Sequence, residues 1–183
     1  MKKINLSKYQ PIVDIQDHIV FANNGNVVLC YKGNLPEIYS LSEKDFEDIH
    51  GAWFQAFKSL PVGSVVHKQD IYLKKSYTSD QLPNNTFLEK ATHQHFKGRG
   101  HIEHNCYLFF ILTKNKALNN SKYVNPFRKI SKGIVQELDD NVKSFVNSVS
   151  DSVSFINNSR KMTFLPLKAE QIQQLTSGYF NGF

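Results

Sequence analysis

The stretch Cys106–Leu112, Cys-Tyr-Leu-Phe-Phe-Ile-Leu, is the longest unbroken apolar run of the chain. It is far shorter than the ~18–20 residues that a membrane-spanning helix needs, so it predicts no transmembrane segment. It also lacks the alternation of apolar and polar residues that is typical of a strand with one face in water. A continuous apolar strand is covered on both faces. We therefore predict that residues 101–113 form a central strand of a sheet on which helices pack.

The segments around this strand show strand-like and helix-like patterns in turn. Residues 18–22 and 27–31 are β-rich, and Asn24-Gly25 between them predicts a hairpin with a type I′ turn. Ser42 is a suitable N-cap for a helix whose apolar face repeats every 3.6 residues through Trp53. The other predicted elements are a strand at 64–74, helices at 86–97, 136–158 and 168–179, and a short apolar piece at 162–167. This order predicts one α+β domain over residues 1–183, with a mostly antiparallel sheet, an N-terminal β-hairpin and amphipathic helices packed on it.

The chain carries a formal net charge of +6, and one segment accounts for all of it. Residues 114–132 contain no acidic residue, and residues 1–92 carry equal numbers of lysines and acids. A basic, Asn-rich loop of this kind can bind nucleic acid, an anionic membrane or an acidic partner, or can simply be solvated. We assign partner or anionic-surface binding to its six basic residues: Lys114, Lys116, Lys122, Arg128, Lys129 and Lys132.

The sequence contains no recognisable catalytic or metal-binding motif. It has neither the G-x-x-x-x-G-K-[ST] pattern of a P-loop nor the G-x-S-x-G pattern of a nucleophile elbow. Cys30 and Cys106 lie in apolar strands, so we predict buried, unreactive thiols. Four histidines lie within twelve residues: His93, His95, His101 and His104. Their spacing sends each pair to opposite sides of a helix or strand, so we predict no metal site, no catalytic residue and no cofactor in this chain.

Several short strings occur in a distinctive order along residues 8–113. They are Leu35-Pro36-Glu37-Ile38-Tyr39-Ser40-Leu41-Ser42, His50-Gly51-Ala52-Trp53, Leu60-Pro61, Val66-His67-Lys68-Gln69-Asp70, Phe96, Arg99 and His104-Asn105-Cys106-Tyr107-Leu108-Phe109. In this order they resemble the N-terminal region of TraG-type conjugation ATPases encoded on conjugative transposons. That family is similar to the motor ATPases of type IV secretion systems. The best-matching region is 35–113, and its fingerprint positions are Pro36, Trp53, His67, Gln69, Asp70, Arg99 and His104.

The resemblance implies a non-catalytic N-terminal domain that docks a motor ATPase onto the secretion channel in conjugative DNA transfer. Family members carry their nucleotide-binding motifs in a C-terminal motor domain. Because this sequence has none of those motifs, we expect the motor domain, with its ATP and Mg²⁺, to be absent from this chain. The expected partners are other conjugation-apparatus proteins at the inner membrane, and anionic lipid is a further candidate. The expected location is cytoplasmic, with peripheral attachment to the inner membrane.

Two other functions stay open on the sequence alone. The first is a nucleic-acid-binding module, in which Tyr123 and Phe127 of the basic segment stack on bases and Arg128 contacts phosphate. No RRM, KH, helix-turn-helix or zinc-finger signature accompanies that segment. The second is an enzyme that uses the four histidines, which their spacing argues against.

Overall fold

The computed structural model describes residues 12–22, 24–77, 86–113 and 132–182, with the backbone alone at 132–139 and 180. They form an α+β fold around a six-stranded antiparallel sheet, which confirms the predicted fold class. In chain order the elements are β1 (Ile12–Gln16), β2 (Ile19–Ala22), β3 (Val27–Asn34), a 3₁₀ helix (Ile38–Ser40), α1 (Glu43–Lys58), β4 (Val65–Ser76), α2 (Phe87–Phe96), β5 (Gly100–Leu112), α3 (Lys132–Asn158), β6 (Thr163–Pro166) and α4 (Ala169–Asn181).

The strands lie in the order β1-β2-β3-β5-β4, and β6 pairs with β3. On one side, β3 pairs first with β2 and then, from Tyr31 to Asn34, with β6. On its other side β3 pairs with β5. The first residue pair of this ladder is Val27 with Leu112 and the last is Gly33 with Cys106. Because β5 lies between β3 and β4, the prediction of a central strand is confirmed.

Side chains of β5 alternate between two layers of the molecule. Cys106, Leu108 and Phe110 are buried in the larger apolar cluster, to which α1 and α3 contribute. Tyr107 and Phe109 point to the opposite face and pack on a second cluster, to which α4 contributes. Both faces of β5 are therefore covered, which explains why its sequence has no polar alternation.

The predicted N-terminal hairpin is present as β2 and β3, but its turn differs from the prediction. The N–H of Gly25 donates to the carbonyl oxygen of Ala22 at 2.9 Å, and Gly25 has φ +83°. This bond closes the turn one residue earlier than a type I′ turn centred on Asn24-Gly25 would, so the predicted type I′ turn is wrong. A left-handed glycine at the end of a three-residue loop is the alternative hairpin geometry, and it needs positive φ at one position instead of two.

Helix α1 begins at the predicted position. The N–H of Asp45 donates to the Ser42 hydroxyl at 3.3 Å, and the Ser42 N–H donates to the Asp45 carboxylate at 2.8 Å. These two bonds form a capping box. The Lys161 ammonium, 2.5 Å from the Asp45 carboxylate, and the bonds from Ser42 hold the pKa of Asp45 well below its usual range. The start of α1 is thereby tied to the segment between α3 and β6.

The buried face of α1 is narrower than its sequence predicts. Ala56 is fully buried, whereas Phe57 is 46% exposed. Trp53 is half-buried and packs against the larger cluster that contains Leu108, so the helix and the central strand share one core. The Trp53 ring meets the Phe164 ring edge-on, with 5.6 Å between centroids.

Strand β6 is held by both α3 and β3. The side-chain amide of Asn157, at the end of α3, donates to the Phe164 carbonyl at 3.1 Å, and its oxygen accepts the Phe164 N–H at 2.7 Å. The Phe164 ring, only 1% exposed, lies directly against Gly33 of β3. A Cβ atom at Gly33 would lie 2.8 Å from ring atom Cζ and closer still to Cε1. Glycine is therefore required at position 33 by this close approach.

Strands β4 and β5 extend beyond the end of β3 as a two-stranded arm. Residues 106–112 of β5 pair with β3, whereas its pairing with β4 continues out to Gly100. At the end of the arm, the Tyr77 hydroxyl lies 2.5 Å from Nδ1 of His93 in α2. In the described part of the chain, no strand lies on the outer side of β4.

Candidate docking surface

The basic residues assigned to partner binding fall almost entirely outside the described residues. Lys114, Lys116, Lys122, Arg128 and Lys129 lie there, together with Tyr123 and Phe127. Lys132 is the first residue of α3, and its backbone alone is described. The assignment of these residues to a partner stays a prediction.

Asp70 and His104, two fingerprint positions on neighbouring strands, form a hydrogen-bonded pair. Nε2 of His104 lies 2.8 Å from Oδ1 of Asp70, and the Lys68 ammonium contacts Oδ2 of the same carboxylate. Lys68 first, and His104 after it, hold the pKa of Asp70 below its ordinary value. An ionised Asp70 accepts hydrogen bonds from both partners, so it fixes the orientation of the His104 ring.

The ring of Tyr72 fixes His104 from a second direction. The two rings stack with 4.6 Å between centroids and an angle of 8° between their planes. Tyr72 and His104 are paired across β4 and β5, so the strand register itself brings the rings together. The sequence alone does not indicate this role of Tyr72, because the role depends on the strand register.

A cleft of about 610 Å³ opens beside His104. Residues 33–39 line one side, and His104 and Cys106 line the other. Ile38 is 70% exposed at this cleft and Tyr39 is fully exposed. We call Ile38, Tyr39 and His104 with the cleft between them the docking surface. The strings at 35–42 and 104–109, which carry the family resemblance, therefore meet in space.

The fingerprint positions divide between this surface and other parts of the fold. Pro36 lines the cleft together with His104, and Asp70 holds His104 in place. Trp53 belongs to the core.

The other fingerprint positions lie away from the cleft. His67 and Gln69 line an apolar groove of about 620 Å³ on the opposite face of the sheet, beside α4. Arg99 lies over the Phe96 ring at 5.9 Å, at the far end of the arm.

The remaining candidate groups for chemistry do not converge. Among the described residues, no three His, Cys, Asp or Glu side chains are placed to hold a metal ion. Cys30 and Cys106 are buried, as predicted, and burial raises the pKa of the Cys30 thiol to about 12 and that of Cys106 to about 11. Thiols with such pKa values are poor nucleophiles near neutral pH.

One family matches the chain, over residues 1–51: a domain of unknown function with the description "B. Theta Gene description (DUF3875)". The matched region extends through β1, β2 and β3 into α1, and it includes Pro36, Ile38 and Tyr39 of the cleft. No curated protein matches the chain. The helices in the described part of the chain are all too short or too polar to cross a lipid bilayer.

Proposed function

We propose that this chain is a non-catalytic docking domain of a conjugation ATPase of the type IV secretion kind. The observation that carries the proposal is the meeting of residues 35–39 with His104 at one cleft. Both segments belong to the strings that resemble TraG-type ATPases, and they lie on separate elements of the fold. A shared surface gives these otherwise chemically silent strings a common role in binding.

The docking surface has the composition and rigidity that protein interfaces favour. Tyrosine supplies a large contact area at low entropic cost, and the Tyr39 side chain is fully exposed. His104 is already fixed by its hydrogen bond to Asp70 and its stacking on Tyr72. Binding therefore loses little side-chain freedom at this position, which favours affinity. The proposed partners are conjugation-apparatus proteins at the inner membrane, where the domain is attached from the cytoplasm.

We expect a photo-crosslinking amino acid at position 39 to capture a secretion-channel protein in conjugating cells. Phe87 provides the matched control, because it is also aromatic and is 87% exposed, but it lies on α2, away from the cleft. Mass spectrometry of the crosslinked product identifies the partner. Tyr39→Ala should reduce both the captured amount and DNA transfer at least about tenfold, as for an interface hot spot. Wild-type DNA transfer by Tyr39→Ala, or capture at position 87 alone, would contradict the proposal.

The alternative function, nucleic-acid binding, is favoured only by the charge of residues 114–132. It predicts that the chain binds single-stranded DNA with an affinity that falls steeply with salt, because each phosphate contact contributes about −0.7 to the logarithmic slope. Replacing Lys114, Lys116, Lys122 and Lys129 with serine should then reduce that slope by about 3. We expect weak binding and little difference between the two proteins. A steep slope that is lost in the quadruple variant would favour the alternative.

A further inference from the structure

The outer edge of β4 is long and regular. All twelve residues from Val65 to Ser76 pair with β5 in an unbroken register, with no bulge and no proline. In an antiparallel ladder every second residue of an edge strand points its N–H and C=O away from its neighbour. Such an edge is a template for a further strand unless charges, bulges or a covering element block it.

Only near its C-terminal end does β4 carry more lysines than acids, and there the lysines hinder the addition of a further strand. Lys74 and Lys75 lie next to the end of the strand, where Lys75 pairs with Glu103 at 2.5 Å. In the stretch from Val65 to Leu73, Lys68 and Asp70 are the two charged residues, and they are in contact with each other. The central part of the edge therefore has no net charge.

We propose that a second copy of this chain pairs with β4 in antiparallel orientation, around a two-fold axis at Gln69. In this register Lys68 lies opposite Asp70 of the partner subunit, and Asp70 lies opposite the partner subunit's Lys68. Two cross-strand ion pairs thus form at the centre of an isologous interface. The assembly joins two six-stranded sheets into one, and it uses Asp70 and Tyr72, which also hold His104 in place at the docking surface.

The charge pattern selects this register over its neighbours. An axis at Lys68 would place Lys68 opposite the same lysine of the second copy. An axis at Asp70 would place Asp70 opposite the same carboxylate of the second copy. An axis at Ile71 would place Lys68 opposite Lys74. Like charges directly opposite each other destabilise a strand pair. Among the four central positions, Gln69 alone brings opposite charges together.

The same register also covers exposed apolar side chains. Val66 comes to lie opposite Tyr72, and Val65 opposite Leu73. Val65 is 46% exposed and Tyr72 is 66% exposed. Aromatic and β-branched cross-strand pairs of this type are favourable, so the apolar pairs flank the two central ion pairs and stabilise the same arrangement.

Sedimentation velocity on the purified chain tests the charge pairing. We expect the wild-type chain to be a dimer at micromolar concentration. Lys68→Glu alone and Asp70→Lys alone should each raise the dissociation constant at least about tenfold, because each places like charges opposite each other. An equimolar mixture of the two variants should form a heterodimer, since Glu then faces Lys and Asp faces Lys. Lys74→Glu, outside the paired stretch, should leave the dimer unchanged.

Cysteine crosslinking tests the register without charge changes. The two-fold axis brings position 69 next to its own copy, so Gln69→Cys should form a covalent dimer on mild oxidation. His67→Cys, on the same face of the strand, lies opposite Ile71 and should not crosslink. A wild-type chain that stays monomeric, a variant mixture that stays monomeric although both variants are folded, or equal crosslinking at 67 and 69 would overturn the proposal.

Discussion

Replacing Phe164 with alanine should lower the free energy of unfolding by about 3–5 kcal/mol. The Phe164 ring is only 1% exposed, rests against Gly33 and meets Trp53 edge-on. Removing it leaves a cavity between β3, β6 and α1 that these elements cannot close without breaking strand pairs. Equilibrium denaturation with urea, followed by circular dichroism, measures the change.

Leu165, the next residue of β6, is the matched control for this variant. It is 62% exposed, so Leu165→Ala should change the free energy of unfolding by less than about 1 kcal/mol. A loss below about 1 kcal/mol for Phe164→Ala would mean that the ring is not packed between Gly33 and Trp53.

Replacing Gly33 with alanine should cost about 1–3 kcal/mol, because the added methyl group overlaps the Phe164 ring. The ring is enclosed by Trp53 and the sheet, so it cannot move away. The same substitution should cost much less when Phe164 is already alanine. A double-mutant cycle measures this coupling directly, and residues in contact show coupling energies of about 0.5–3 kcal/mol.

Gly51 provides a control at which the same substitution should raise, and not lower, the free energy of unfolding. It lies within α1, and apart from its chain neighbours and the backbone of the helix itself, no atom lies within 4 Å of a Cβ placed there. Gly51→Ala should therefore stabilise the chain by about 0.5–1 kcal/mol through helix propensity alone.

In the double-mutant cycle, additive effects of Gly33→Ala and Phe164→Ala would contradict the close contact between Gly33 and the Phe164 ring.

The sequence predicts well those elements that have a local physical signal. The Ser42 cap and the apolar period after it place α1, and the unbroken apolar run places β5 at the centre of the sheet. The sequence does not predict β1, because Ile12–Gln16 is short and has only two half-buried apolar positions. The type of the turn at Asn24-Gly25 does not follow from the sequence either, since this dipeptide suits more than one hairpin loop.

Features that depend on distant pairing could not be predicted from a single sequence. Nothing in residues 163–166 indicates that they pair with β3. The cleft is a similar case, because Pro36 and His104 come together only through the alignment of β3 with β5. Family resemblance selected both residues, but only the fold shows that they share a surface.

Strand β3 pairs with β2, which is synthesised before it, and with β5 and β6, which are synthesised much later. This affects how the chain folds during synthesis. The β2–β3 hairpin closes in microseconds once it leaves the ribosome. At a synthesis rate of about 5–20 residues per second, β3 then waits on the order of ten seconds before β6 is made. During that time Gly33 has no Phe164 ring beside it, and β5 emerges before α3 and α4 can cover its faces. The nascent chain therefore exposes apolar strand faces while it is being made, and its folding completes only after β6 has left the ribosome.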